Sequence, residues 1–280
     1  MTPIRNHHTN LPISSNLALI YILSTVIAIL MAGLSAYGIL YRTNANPSEE
    51  LLKSFASNDV VNLCVGLPIL LGSMWLTRRS KLISLLCWSG ALLFVLYNYI
   101  AYVFASPLHW AFLGYITPVA LSLYTLIALA ASIDGKTVKS QLTGTVPEKF
   151  AVAILTGFGV LFLLRVIGVI AGALTGGTAI AQTDLAINIS DFLISPALII
   201  GGISLWRQKA LGYLSGLGLL FQASMLCVGL ILFMLLQPIL AEELLVITDV
   251  LVVFGMGLIC FVPFALFLRD AASKQGTKAA

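Results

Sequence analysis

Charge is what this chain has least of. Its 280 residues include 15 Lys and Arg, 11 Asp and Glu and 3 His, and charged residues make up 9% of the total. A soluble domain keeps roughly a quarter of its residues charged, so this chain cannot cover itself for water. Catalytic signatures are missing as well. His7, His8 and His109 lie outside every apolar run, and neither HExxH nor GxSxG occurs. Gly135-Lys136-Thr137 resembles the end of a phosphate loop, but Ala130 stands where such a loop needs Gly and no strand precedes it. No apolar run carries a Lys for a retinal Schiff base. Cys64, Cys87, Cys227 and Cys260 form no CxxC and read as small buried hydrophobes. No enzyme, catalytic residue, metal site or cofactor is therefore expected. The basic residues form no aromatic-interleaved patch, so nucleic acid is not an expected partner either.

Apolar residues dominate: hydrophobic types make up 59%, and mean hydropathy is +1.02. A helix needs about 20 apolar residues to cross about 30 Å of hydrocarbon. Runs of that length fall near Leu17–Leu40, Val60–Leu76, Leu82–Phe104, Trp110–Ser132, Phe150–Leu174, Ala186–Trp206, Ala210–Leu236 and Leu244–Leu268. Unpaired backbone groups are too costly in lipid for anything but helices or closed barrels. The alternating ten-residue segments of a barrel are absent. The expected fold is an all-α integral membrane protein, an eight-transmembrane-helix bundle in a bilayer, here a prokaryotic plasma membrane. Leu34-Ser35-Ala36 loosely resembles a signal cleavage site, but the run before it is long and holds one upstream Arg, so the first helix is expected to be retained.

Eight spans with a cytoplasmic N-terminus put twelve of the fifteen Lys and Arg on one face: Arg5, Arg78, Arg79, Lys81, Lys136, Lys139, Lys149, Arg207, Lys209, Arg269, Lys274 and Lys278. Arg42 and Lys53 fall on the other face, and Arg165 lies inside a span. Lys and Arg bias sets orientation, so both termini are expected in the cytoplasm.

The second half of the chain echoes the first. Pro118-Val-Ala-Leu-Ser-Leu123 is matched by Pro263-Phe-Ala-Leu-Phe-Leu268, and Ser89-Gly90-Ala-Leu-Leu-Phe94 by Ser215-Gly216-Leu-Gly-Leu-Leu-Phe221 with one extra residue. Asn62, Pro68, Trp75, Arg79 and Lys81 recur in order as Asp191, Pro196, Trp206, Arg207 and Lys209. Their spacing differs: aligning the prolines sets Asn62 against Ser190, one short of Asp191. The expected organisation is a tail (1–16), a four-helix repeat (17–133), a polar linker (134–149), a second repeat (150–268) and a tail (269–280). An even number of spans per copy makes the repeats parallel.

Charges inside a span usually face the bundle interior and mark candidate sites. Arg165 lies about nine residues, roughly 13 Å, from the outer end of span five. Gly168 and Gly172 follow on the same face, which suggests close packing there. Asp191 and Asp249 are expected near the outer ends of spans six and eight, within reach of Arg165. Asp59 and Asn62 share a face at the outer end of span two, as do Asn98 and Tyr102 in span three. Together these suggest an outward-open cavity lined by Arg165, Asp191, Asp249, Asn62 and Asn98. Tyr97, Tyr99 and Tyr102 read as an interfacial aromatic belt. The expected function is a secondary transporter or small-molecule or ion binder. The alternative is a non-enzymatic structural subunit whose Gly-rich faces bind a membrane partner.

Overall fold

The computed structural model describes residues 11–41, 48–79, 81–108, 110–144, 147–240 and 244–277. Arg5, His7, His8, Arg42, His109 and Lys278 lie outside the described residues. Eight helices are long and apolar enough to cross a membrane: Ala18–Leu40, Leu51–Arg78, Leu82–Ala105, Trp110–Ser132, Glu148–Gly176, Gln182–Trp206, Ala210–Leu240 and Ile247–Asp270. They are spans one to eight below. Large aliphatic side chains such as Leu19, Ile29, Ile127, Leu164, Ile200 and Val252 stand exposed around the outside. A lipid bilayer solvates such a surface and water does not, so this is a multi-pass membrane protein.

The helices outrun their apolar cores. Span two differs most from the sequence reading, which began it at Val60. Its helix starts at Glu49, where the Ser48 hydroxyl accepts from the Leu51 amide at 3.2 Å as an N-cap. Leu51, Phe55 and Ala56 then bury one face although Glu49, Glu50 and Lys53 depress local hydropathy. Asp59 therefore lies ten residues into the helix, about 15 Å at 1.5 Å per residue, rather than at a span's edge. Beyond it the α-helix Glu49–Val61 widens into a π-helical turn, Asn62–Gly66, and resumes as Leu67–Arg78. The Leu67 amide donates to the Asn62 carbonyl, one residue further back than α-helical spacing allows. Pro68 has no N–H for the Cys64 carbonyl and its ring crowds that carbonyl, which is a physical reason for the helix to widen there.

Span three is the axis of the bundle. Leu85, Leu86, Trp88, Ala91, Leu92, Val95, Tyr99 and Tyr102 are all buried, and it packs against spans two, four, six and seven. Span seven mirrors it, packing against spans six, eight, two and three. Where spans three and seven cross, Gly90 and Gly218 bring the backbones together: a Cβ on Gly90 would overlap the Gly218 carbonyl, and one on Gly218 would overlap the Ser89 hydroxyl. Such close approach maximises van der Waals contact where lipid removes the hydrophobic drive to associate. Trp88 Nε1 adds a 3.1 Å bond to Ser24 Oγ of span one.

The linker contains a helix, Gly135–Leu142. Asp134 caps it, accepting from Lys136 N at 3.0 Å and from the Thr137 hydroxyl. The Thr137 hydroxyl and then the Lys136 amide hold the Asp134 carboxyl below the usual carboxylate range. Val138 and Leu142 are buried, the helix lying against span seven. The segment before span one is tied to the same junction: Ser14 N donates to Ser132 O at 2.8 Å and Asp134 N to Pro12 O at 2.9 Å. The cysteines divide, Cys87 and Cys260 being buried and Cys64 exposed.

The glycines make a differential prediction. Gly90→Ala forces spans three and seven apart and is expected to cost about 1–3 kcal/mol, as overpacking does. Gly168→Ala meets nothing within 4 Å, so it is expected to be neutral or to gain up to about 1 kcal/mol of helix propensity. Chemical unfolding in mixed micelles measures both.

Candidate functional site

Two polar centres flank span three. Tyr97 and Tyr102 are five residues apart, a rotation of about 140° at 100° per residue, so their hydroxyls reach opposite sides of the helix. Tyr97 reaches span six, where its hydroxyl donates to Asp191 Oδ1 at 2.8 Å. Tyr102 reaches span two, where its hydroxyl donates to Asp59 Oδ1 at 2.8 Å. The aromatic-belt reading of these residues is thus corrected: Tyr99 and Tyr102 are wholly buried and Tyr97 partly so.

At the first centre, Arg165 Nη1 of span five donates to Asp191 Oδ2 at 3.1 Å. Each oxygen of Asp191 therefore has one donor. The two partners are unequally placed: the Asp191 side chain is 4% exposed and that of Arg165 is 49% exposed. Asp191 is also held from its own helix, since Ser195 Oγ donates to its carbonyl. Asn188, one turn before it, is buried with its Oδ1 unpartnered. The expectation that Arg165 points into packed protein fails. Gly168 and Gly172 have nothing within 4 Å, and the C-terminal half of span five is largely exposed.

Asp249 does not join this pair. It lies exposed in the first turn of the Ile247–Thr277 helix, and no ion pair between it and Arg165 is present. The reason is geometric: span eight makes little contact with span five and packs mainly on span seven. The two-acid site around Arg165 becomes a one-acid pair.

The second centre holds Asp59, buried between spans one, two and three. Its carboxylate lies against Gly38 of span one so closely that a Cβ there would overlap it. Asn62 Nδ2 donates to the Tyr102 hydroxyl at 3.4 Å, linking amide, phenol and carboxylate in a row. Phe55, Tyr99 and Tyr115 pack their rings around Tyr102 at centroid distances of 4.2, 5.4 and 5.0 Å. Asn98, expected at the site, instead satisfies its own helix, donating to the Phe94 carbonyl at 3.1 Å. Sequence reasoning noted Asp59 but left it at the headgroup level, and it missed Ser35, Gly38 and the roles of both tyrosines. The available signal was the acid and amide at i and i+3 in both span two (Asp59, Asn62) and span six (Asn188, Asp191).

Among the described residues no group of three or more His, Cys, Asp or Glu is arranged to hold a metal ion. Comparison with known proteins finds no matching family model, no similar curated protein and no similar solved structure.

The depth of the pair within the spans sets the terms of a test. Arg165→Gln leaves a buried carboxylate without its cation, which costs about 1–3 kcal/mol. Asp191→Asn leaves the guanidinium without its counter-charge inside a span, where turning outward meets lipid, and is expected to cost at least as much. Unfolding of the two variants and of the double variant gives both values and their coupling.

Proposed function

We propose that the protein is a secondary transporter or small-molecule binder whose anion-binding group is Arg165, held ready by Asp191 and Tyr97. The observation that carries this reading is the asymmetry of the pair. Its carboxylate end is locked by two hydrogen bonds in the interior, while the guanidinium end is half exposed. A guanidinium has five N–H donors in a planar fork, and one of them is used here by Asp191. The rest suit a carboxylate or phosphate group, which such a fork binds in bidentate fashion. Charged groups at this depth are costly and are commonly retained for a ligand or a coupling step.

The architecture we propose for it is two parallel four-helix units, 17–133 and 150–268, with both termini cytoplasmic. Three observations support this. The basic turns cluster at one end. The neighbours of span three correspond one for one with those of span seven. The π-helical turn explains the register: Asn62 precedes Pro68 by six residues and Asp191 precedes Pro196 by five, and a π turn takes up one extra residue. With that residue absorbed, Asn62 and Asp191 occupy equivalent places.

A second reading, a structural subunit bound to a partner helix, has its own observation. Gly168, Gly172 and Gly176 recur every four residues on span five. A Cβ added at Gly168 or Gly172 would meet nothing within 4 Å. Glycines at this spacing let a second helix approach closely.

A thermal-shift screen of the purified protein against small carboxylates and phosphates tests both readings. A ligand at 100 times its Kd stabilises by about 2.7 kcal/mol. The expected result is a hit that weakens in Arg165→Lys, which keeps the charge but loses the fork, and vanishes in Arg165→Gln. A hit that survives Arg165→Gln removes Arg165 from the site. No hit, with Arg165→Gln merely less stable, makes the pair structural and favours the partner reading, which crosslinking in native membranes then decides.

A further inference from the structure

The Asp59 centre has what the Arg165 centre lacks: a surplus of oxygen with nothing to bind. Ser35 Oγ, Asn62 Oδ1 and Tyr99 OH are all buried without a hydrogen-bond partner. Ser35 and Asn62 are fully buried, and Tyr99 is 1% exposed. Ser35 and Tyr99 meet at Asp59, and the Asn62 amide stands one hydrogen bond further along, its Nδ2 on Tyr102. The Ser35 hydroxyl lies beside both the Asp59 carboxyl and the Tyr99 hydroxyl. Asn62 reaches the same carboxylate through Tyr102. A buried polar atom left without a partner costs about 1–3 kcal/mol, and three beside one carboxylate call for a common partner. The donor to Asp59 is the neutral hydroxyl of Tyr102, and Arg165 is bound to Asp191 on the other side of span three.

We infer that Asp59 is the anionic ligand of a monovalent metal-cation site, completed by Asn62 Oδ1 and the hydroxyl oxygens of Ser35, Tyr99 and Tyr102. The donor set is all oxygen, which suits a hard cation. It holds one carboxylate, which a single positive charge neutralises. Divalent cations are held with more carboxylates or with retained water and phosphate ligands. Charge neutralisation removes the desolvation cost of carrying a lone carboxylate this deep. The π-helical turn begins at Asn62 itself. Interrupted helices are where transporters coordinate sodium, and π turns inside helices frequently accompany functional sites. Gly38 completes the fit, because any side chain there would displace the carboxylate.

The inference does not rest on the anion reading, and its test keeps the two apart. The full-length protein in detergent is unfolded thermally in NaCl, KCl, LiCl and N-methylglucamine chloride at equal ionic strength. The expected result is a saturable rise in midpoint with at least one alkali cation and none with N-methylglucamine. Asp59→Asn abolishes that rise. Ser35→Ala and Tyr99→Phe, which remove unpartnered hydroxyls and should fold, raise the half-saturating concentration about tenfold, equivalent to about 1.4 kcal/mol. Arg165→Gln keeps the response, even where it loses an anionic ligand. Identical curves in all four salts would overturn the site, as would an undiminished response in Asp59→Asn. Should Asp59→Asn not fold, unshifted saturation in both Ser35→Ala and Tyr99→Phe overturns it. Loss of the response in Arg165→Gln would overturn the assignment of the cation to a separate Asp59 centre.

Discussion

Because protein surrounds span three on nearly every side, the polar groups it carries turn inward, to their own helix, as Ser89 and Asn98 do, or to another. Lipid cannot serve. That constraint organises the interior. Trp88 finds Ser24 on span one, Tyr102 finds Asp59 on span two, and Tyr97 finds Asp191 on span six. Each bond fixes the rotation of one outer helix against the axis. The acids sit where they do because phenols reach them, and the phenols can reach both sides because they are 140° apart.

The glycine contacts serve the same end by another route. Gly90 and Gly218 bring the two most central helices within backbone contact, which leaves no room for side chains between them. The Ser89 hydroxyl at the crossing turns to the Leu86 carbonyl of its own helix, and the acids lie further along span three, at Tyr97 and Tyr102. The bundle has a dry, close-packed crossing and, further along, a zone rich in hydroxyl and carboxyl groups. Span five is the exception. Its C-terminal half touches little of the chain, and the half-exposed Arg165 stands on it.

All eight spans were legible in the sequence, because twenty apolar residues in a row admit few other structures. Their ends were less so. Residues Glu49 to Asp59 are too polar for a hydropathy window, yet they extend span two because Leu51 and Phe55 bury one face and Ser48 caps the start. Arg165 and Asp191 stood out as charges among apolar residues, and the structure does pair them. Asp249 stood out equally, but sequence depth says nothing of which helices are neighbours, and span eight turned out to pack on span seven. The tyrosines were hidden for a different reason. Tyr at the end of a span satisfies an interfacial belt as well as a buried hydrogen bond, and only packing distinguishes the two. The π turn beside Asn62 was not legible at all, because composition does not tell a π turn from an α turn and only the backbone shows it.

The bonds from Pro12 and Ser14 to Asp134 and Ser132 bear on the mechanics of the first four spans. Ser14 and Ser132 are 118 residues apart along the chain and one hydrogen bond apart in space. The first four spans therefore form a closed circuit whose two ends are buckled together. A force applied at the linker helix reaches span one through two backbone bonds as directly as it reaches span four through the chain. Spans one and four are therefore joined at this end by backbone hydrogen bonds as well as by their packing against each other.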